Sequence, residues 1–166
     1  MIDVEDALSK ILSVFSTLSI RDANILEANG MVLAQDVISE INIPPLDNSA
    51  MDGYAIKHED VNDATPKNPK TLRVVATTAA GDLPYSTLLN NESVRIMTGA
   101  PVPIGATSVI PFEDTSDNFK DKTSSDKNVL IYTNSETGKN VRKAGQDVTS
   151  GEIVLKSGTE LHASHI

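Results

Sequence analysis

Hydrophobic residues near the N-terminus recur at intervals of three to four positions. They are Val4, Leu8, Ile11, Leu12, Phe15 and Leu18. This spacing predicts an amphipathic helix over residues 3–18, with Asp3 as its N-cap and Asp6 favourably placed in its first turn. A weaker helical pattern covers residues 22–30, and residues 31–37 fit either a short helix or a strand.

From residue 44 onward the chain changes to short apolar runs that are interrupted by Pro, Gly, Asn and Asp. These runs cover residues 72–78, 94–97, 108–112, 129–132 and 153–156. They predict brief β-strands, and Pro111 marks one of them as an edge strand or a bulge rather than a central strand. The spacing predicts a small barrel or sandwich from about residue 46 to about 139, with the polar segment 113–128 as a solvated loop.

The composition agrees with a chain that is mostly β. Hydrophobic residues make up 39% of its 166 residues and charged residues 22%, which is typical of a globular protein with one ordinary domain or two small ones. Aromatic residues are only 4% and Trp is absent, so the core depends on Val, Ile, Leu and Ala. The β-branched share of these residues favours strands. We therefore expect an α+β fold that is mostly β.

Charge and cysteine content exclude several classes of function. The net charge of −9 argues against a nucleic-acid partner, because such binding depends on cations that neutralise phosphates. The absence of Cys excludes disulfides, thiolate metal sites and Cys nucleophiles, and it fits a reducing compartment. No apolar run has the length of a membrane span, and the acidic N-terminus differs from a secretory signal. We expect a cytoplasmic protein with no membrane partner.

The densest group of polar side chains lies in Asp47-Asn48-Ser49-Ala50-Met51-Asp52-Gly53-Tyr54, directly after Pro44-Pro45-Leu46. Each X-Pro step favours an extended residue before it, so the prolines present the polar tip on a stiff approach. Asp-Gly and Asp-Asn-Ser are also common in turns. The residues alone therefore leave a structural hairpin turn and a binding loop open.

Two further polar groups follow predicted strands. The segment 95–106 predicts a strand that runs into a Gly/Pro-rich loop, where Thr98 is displayed or only caps a turn at Gly99. Glu113 follows the run 108–112, and it either faces a cleft or opens the acidic loop as a solvated side chain.

A third polar segment combines cations with a carboxylate. Arg142 and Lys143 precede Asp147 by five and four residues, across Gly145. This arrangement suits phosphate or a metal bridged by phosphate, and an ordinary basic surface turn is the simpler alternative.

Three motifs in matching order and spacing resemble the signatures of molybdopterin molybdenumtransferase, the MoeA family that includes the gephyrin E domain. They are Pro45-Leu-Asp-Asn-Ser-Ala-Met-Asp-Gly-Tyr-Ala55, Arg95-Ile-Met-Thr-Gly-Ala-Pro-Val-Pro-Ile-Gly-Ala106 and Asn140-Val-Arg-Lys-Ala-Gly-Gln-Asp147. The resemblance implies an enzyme of molybdenum cofactor biosynthesis. Such an enzyme inserts molybdate into adenylylated molybdopterin with a divalent cation, Mg²⁺, and releases AMP.

The resemblance also implies an architecture. Residues 1–45 and 140–166 are expected to form an elongated first domain with N-terminal helices. Residues 46–139 are expected to form an inserted β-rich domain, barrel-like or with a bifurcated sheet. The family forms homodimers, in which this β-rich domain faces the pterin-binding domain of the other subunit across a cleft.

The family's functional residues can be carried over by position. Asp52, Thr98 and Asp147 fall on positions implied to be catalytic. Asp47, Asn48, Ser49 and Arg142 flank the same motifs as substrate-binding candidates, and Glu113 is the candidate metal ligand. Carboxylates repel an anionic pterin phosphate and molybdate unless cations offset their charge, so they suit metal binding or hydrolysis better than phosphate contact.

The resemblance implies that the family's pterin-binding α/β domain, which would begin where this sequence stops at Ile166, is absent from these 166 residues, and we expect this chain alone to be inactive in molybdenum insertion. Two alternatives to an enzyme region remain. One is a non-catalytic dimerisation or protein-interaction module of the same family. The other is a general sugar- or nucleotide-binding β-domain, which explains the composition but not the three motifs.

Overall fold

The computed structural model describes residues 2–117 and 127–166, so residues 118–126 of the predicted acidic loop lie outside the described residues. The described part is mostly β, with one α-helix, α1 (Val4–Leu12). Its strands are β1 (Val37–Ile38), β2 (Asn48–Ser49), β3 (Gly53–Ile56), β4 (Lys70–Thr78), β5 (Glu92–Ile96), β6 (Ser108–Pro111), β7 (Asn128–Ile131), β8 (Val141–Arg142) and β9 (Ile153–Leu155). The chain divides into two compact units, Met1–Val37 with Ile153–Ile166, and Ile38–Glu152.

Helix α1 begins as predicted but is shorter than predicted. Asp3 Oδ1 accepts a hydrogen bond from Val4 N at 2.6 Å, so the N-cap is confirmed. The helix ends at Leu12, and the predicted extension to residue 18 is wrong. Ser13 Oγ donates to Lys10 O at 2.8 Å, which is the kind of local bond by which a serine competes with helix continuation.

The second predicted helix is also corrected. Only the single 3₁₀ turn Ile25–Glu27 forms, with Asn24 Oδ1 accepting from Leu26 N at 3.0 Å. A helix as short as the 22–30 pattern is marginal, because nucleation is costly and few bonds follow it. The segment after it is extended: Val32 bridges to Glu160, and β1 pairs with β9. The predicted set of N-terminal helices therefore reduces to α1 and one turn among the described residues.

The second unit contains a five-stranded sheet in the order β6-β3-β5-β4-β7. Strand β3 pairs antiparallel with β5 and β6, whereas β4 runs parallel to β5 and antiparallel to β7. Strand β6 lies at an edge, as Pro111 predicted, because a proline cannot donate to a further strand. With two edge strands the sheet is an open half-barrel rather than a closed barrel.

Apolar side chains cover both faces of this sheet. One cluster comprises Tyr54, Ile56, Val61, Ala64, Leu72, Ile110, Val129 and Ile131, and the other comprises Ala55, Leu88, Val94, Ile96, Ala100 and Val109. Neighbouring residues of β3 belong to opposite clusters, as the two-residue period of a strand requires. The sheet is thus a rigid base for the loops at its ends.

Strand β3 is the central element that the sequence pattern did not predict. All four of its residues are buried, but it begins at the glycine of the Asp52-Gly53 pair, which is typical of a hairpin turn. Gly53 is required for space: a Cβ at this position would lie 2.0 Å from Ile110 O on β6. The glycine therefore marks a close approach of two strands.

Within the described residues, no helix is both long and apolar enough to cross a membrane. The cytoplasmic location stays a prediction. The limits of the inserted domain at residues 46 and 139 also stay a prediction.

Candidate functional site

The three sequence motifs meet in the second unit. Strand β2 of the first motif pairs antiparallel with β8 of the third, so that Asn48 lies opposite Arg142. The same strand bonds to the loop after β5, since Ser49 N donates to Ala100 O at 3.0 Å and Gly99 N donates to Ser49 O at 2.8 Å. The first motif therefore lies between the other two.

Asp52 and Thr98 are in direct contact. Asp52 Oδ1 accepts hydrogen bonds from Thr98 N at 2.7 Å and from Thr98 Oγ1 at 2.8 Å. Their positions follow from the sheet, because Asp52 precedes β3, Thr98 follows β5, and Gly53 lies opposite Ile96 in that antiparallel pair. Thr98 is exposed and Asp52 is half-buried. Two donors on one oxygen fix the orientation of the carboxylate at the surface.

Ser49 is used inside its own loop. The residue is fully buried, its Oγ donates to Met51 O at 2.5 Å, and Met51 N donates back to that Oγ at 3.2 Å. These contacts favour a structural role for Ser49 over the substrate contact that the sequence suggested. The neighbouring Asn48 differs, since its buried Oδ1 has no hydrogen-bond donor among the described residues.

Asp47 is held by Lys143, a residue that the sequence prediction passed over in favour of Arg142. Lys143 Nζ lies 2.7 Å from Asp47 Oδ2, and Ala144 N donates to Asp47 Oδ1 at 2.9 Å. Partial burial raises the pKa of Asp47, but the two hydrogen bonds and the Lys143 charge outweigh it and hold the pKa below its ordinary value. The sequence signal that could have indicated Lys143 was its position next to Arg142. Arg142 meets the first motif through its backbone, and its side chain is exposed.

Asp147 and Glu113 lie on segments that border the same loop. Asp147 N donates to Ile43 O at 2.9 Å, beside the cis peptide bond between Ile43 and Pro44, and the residue is exposed. Glu113 lies in the exposed 3₁₀ turn Phe112–Asp114, whose first backbone N donates to Asp52 O at 3.2 Å. The turn thus contacts the site through Phe112.

The described residues do not by themselves fit a magnesium ion. In the ranges 2–117 and 127–166 no three His, Asp or Glu side chains group as a metal site would require. A single exposed carboxylate such as Glu113 would need waters or substrate phosphates to complete the octahedral oxygen coordination of magnesium. Glu113 as the metal ligand stays a prediction, and we derive no reaction step through a metal.

A separate polar cleft lies beyond the opposite end of β3. It is lined by Lys57, Glu59, Asp60, Asn90, Gly105 and Thr107. None of the residues predicted from the motifs lines this cleft. We therefore place the candidate site at the Asp52 end of the sheet.

The fold is shared with solved structures of one class of protein. Two structures of the molybdopterin biosynthesis MoeA protein from Pyrococcus horikoshii resemble the chain. One has a TM-score of 0.83 and 32% identity, over 99% of this chain and 40% of that chain. The other has a TM-score of 0.74 and 34% identity, over 86% and 36% respectively. The fold therefore places the chain in the class of the MoeA proteins.

The family follows from the sequence comparisons. The model of the MoeA N-terminal region (domain I and II) matches residues 2–166. The chain therefore belongs to the MoeA family and corresponds to its N-terminal region, which confirms the resemblance inferred from the three motifs.

Two curated relatives show the extent of the match. The molybdopterin molybdenumtransferase 2 of Mycobacterium tuberculosis (strain H37Rv) is 42% identical over 134 residues, which are 81% of this chain and 31% of the relative. The molybdopterin molybdenumtransferase of Nostoc sp. is 36% identical over 171 residues, which cover 100% of this chain and 37% of the relative. The chain spans about a third of the length of these relatives.

Proposed function

We propose that the chain is the N-terminal region of an enzyme that inserts molybdate into adenylylated molybdopterin and releases AMP. The observation that carries the proposal is the oriented Asp52 carboxylate, held by Thr98 where the three motifs meet. Support comes from the relatives, which are named molybdopterin molybdenumtransferases. The substrates would be molybdate and the adenylylated pterin.

Asp52 is the proposed general base. Release of AMP requires that a P–O bond of the adenylyl anhydride breaks while a new P–O bond forms to an attacking oxygen. A carboxylate with a fixed orientation can take the proton from that oxygen. Thr98 positions Asp52 through its two hydrogen bonds. Asp147 is the second candidate carboxylate, on the segment that borders the loop.

Two cations beside the loop, Arg142 and Lys143, favour an anionic substrate. Lys143 offsets the charge of Asp47, so the first carboxylate of the loop is already neutralised. The exposed Arg142 side chain is the proposed phosphate contact, because a guanidinium matches phosphate oxygens in geometry. Asn48 lies opposite Arg142 in the β2–β8 pair and is kept as a candidate substrate contact.

The first unit supports a proposal of homodimer formation. No residue of α1 is buried, and its apolar stripe is exposed by 80% at Val4, 54% at Leu8, 57% at Ile11 and 59% at Leu12. Among the described residues of this unit only Ala28 is buried. Apolar surface of this extent favours a partner, since its burial is favourable at about 25 cal/mol per Å². We take that partner to be a second copy of the complete gene product.

The same stripe favours a second candidate function, a non-catalytic dimerisation or protein-interaction module. An assay of AMP release from adenylylated molybdopterin with molybdate separates the two. The complete gene product is expected to turn over, whereas the 166-residue chain alone is expected to release no AMP. Turnover by the 166-residue chain alone would overturn the expectation that this region is inactive by itself. A dimeric complete gene product without turnover would favour the interaction module.

A further inference from the structure

Arg95 is a buried cation close to the candidate site in sequence. It lies in β5, three residues before Thr98, and is 7% exposed. Within the described ranges it is the one buried Lys or Arg. Removing a guanidinium from water is costly unless contacts compensate for it, so the contacts of Arg95 indicate what it does.

The guanidinium packs on an aromatic ring. Arg95 Cζ lies 4.7 Å from the ring centroid of Phe112, which is within the range of a cation–π interaction. Phe112 also meets Tyr54 edge to face, with centroids 5.5 Å apart and ring planes at 78°. Tyr54 lies opposite Arg95 in the β3–β5 pair, and its hydroxyl donates to Asp117 Oδ2 at 2.6 Å. These side chains tie β3 and β5 to the turn after β6.

The stacked ring is connected directly to the proposed general base. Phe112 N donates to Asp52 O at 3.2 Å, so a shift of Phe112 displaces the backbone that carries the carboxylate. Arg95 meanwhile belongs to the strand that delivers Thr98, the hydrogen-bond donor to the same Asp52. The contact between Arg95 and Phe112 therefore joins the strand that leads to Thr98 with the turn that bonds to the backbone of Asp52.

We propose that Arg95 is a positioning residue for the reaction. Its guanidinium stacks on Phe112 and so holds Asp52 and the Phe112–Asp114 turn in the geometry that proton transfer requires. The flat guanidinium matters as well as its charge, because lysine carries the charge without a plane that can stack. This inference rests on the proposed function.

Steady-state kinetics of the complete gene product test the proposal. Arg95→Lys and Phe112→Leu are each expected to lower kcat about tenfold with little change in KM, which is the signature of a lost transition-state interaction. Since the two residues act through one contact, the double variant should lose little more than either single variant. Phe112→Tyr keeps the ring and is expected to retain at least about half of kcat. All rates are taken per folded enzyme, well below the melting temperature.

Arg73→Lys is the matched control. Arg73 lies on β4 of the same sheet, its side chain is 65% exposed, and it pairs with Glu92, so kcat should not change. A purely structural Arg95 would lower the melting temperature but leave kcat per folded enzyme intact, and that result would overturn the proposal. Fully additive losses in the double variant would also overturn it.

The Asp52→Asn variant distinguishes a failure of the proposed function from a failure of the positioning role of Arg95. If that variant keeps full activity, the proposed function of the site fails. If it is inactive while Arg95→Lys and Phe112→Leu keep kcat, only the positioning role fails.

Discussion

At the scale of single residues, the ion pair between Asp47 and Lys143 links the stability of the loop to pH. The pKa of Asp47 is lowered in the folded protein from its ordinary value of 3.8. The stabilisation is therefore fully present above 3.8 and is lost as the pH falls through the lowered pKa. Its size is modest, because the two side chains are 39% and 67% exposed and solvent screens their interaction.

Lys143→Met is expected to destabilise the protein by less than about 1 kcal/mol at pH 7, since exposed ion pairs contribute little. The difference from the unmodified protein should stay constant above pH 3.8 and narrow as the pH falls below it to 3. Urea unfolding at each pH measures the free energy of unfolding of the variant and of the unmodified protein, and hence the difference between them. Lys156→Met, at another exposed lysine, controls for the loss of a positive charge. A difference that stays constant over this pH range would contradict the assigned ion pair.

The sequence predicted the site residues that are marked by their neighbours in the chain. It missed those whose role depends on residues distant in the sequence. Asp52 and Thr98 stand out because each belongs to a motif with turn residues beside it. Lys143 was missed as the partner of Asp47 because 96 residues separate them, and only the pairing of β2 with β8 brings them together. Arg95 lies within the second motif, but its burial depends on three strands and a turn that are distant in the sequence.

At the scale of secondary-structure elements, the contact between β3 and β6 depends on Gly53. A Cβ there would lie 2.0 Å from Ile110 O and 2.8 Å from Ile110 C, and backbone atoms in a buried sheet cannot move aside. The glycine's φ angle is not in the left-handed region, so the constraint is one of space. The same contact sets the start of β3, next to Asp52.

Gly53→Ala is expected to destabilise the protein by about 3 kcal/mol or more, as severe overpacking does. Gly81→Ala provides the comparison, because φ is +91° there but nothing lies within 4 Å of the added Cβ, so about 1 kcal/mol of backbone strain is expected. Denaturant unfolding gives both values. An equal or smaller cost at Gly53 would show that the two strands can separate without penalty.

The predicted elements were most accurate where a short apolar run was bounded by turn residues. Strands β4 to β7 follow this rule, and each overlaps the run predicted for it. Strand β3 has only four residues. It shows no alternation of apolar and polar residues, because both faces of the sheet are covered by apolar side chains. The hydrophobic periodicity overestimated the length of α1, because the same spacing continues past Ser13 although the backbone helix ends at Leu12.

At the scale of the whole molecule, the exposed stripe of α1 is the surface proposed to form the dimer. Leu8→Glu places a charge in that stripe, whereas Ser9→Glu adds the same charge on the polar side of the helix. The complete gene product is expected to have the mass of a dimer at micromolar concentration. Leu8→Glu should weaken the dimer at least about tenfold, the equivalent of 1.4 kcal/mol, and Ser9→Glu should not. A monomeric complete gene product, or dimers unaffected by Leu8→Glu, would contradict the assignment.

The central claim concerns the carboxylates of the candidate site, Asp52 and Asp147, and the rate of AMP release by carboxamide variants tests it most directly. Asp52→Asn preserves size and removes the charge, so loss of a working carboxylate should raise the barrier by about 2 kcal/mol or more, which is roughly a 30-fold lower rate. Asp147→Asn should also lower the rate, and both proteins should keep the mass of the dimer. Undiminished AMP release by an intact Asp52→Asn dimer would contradict the account.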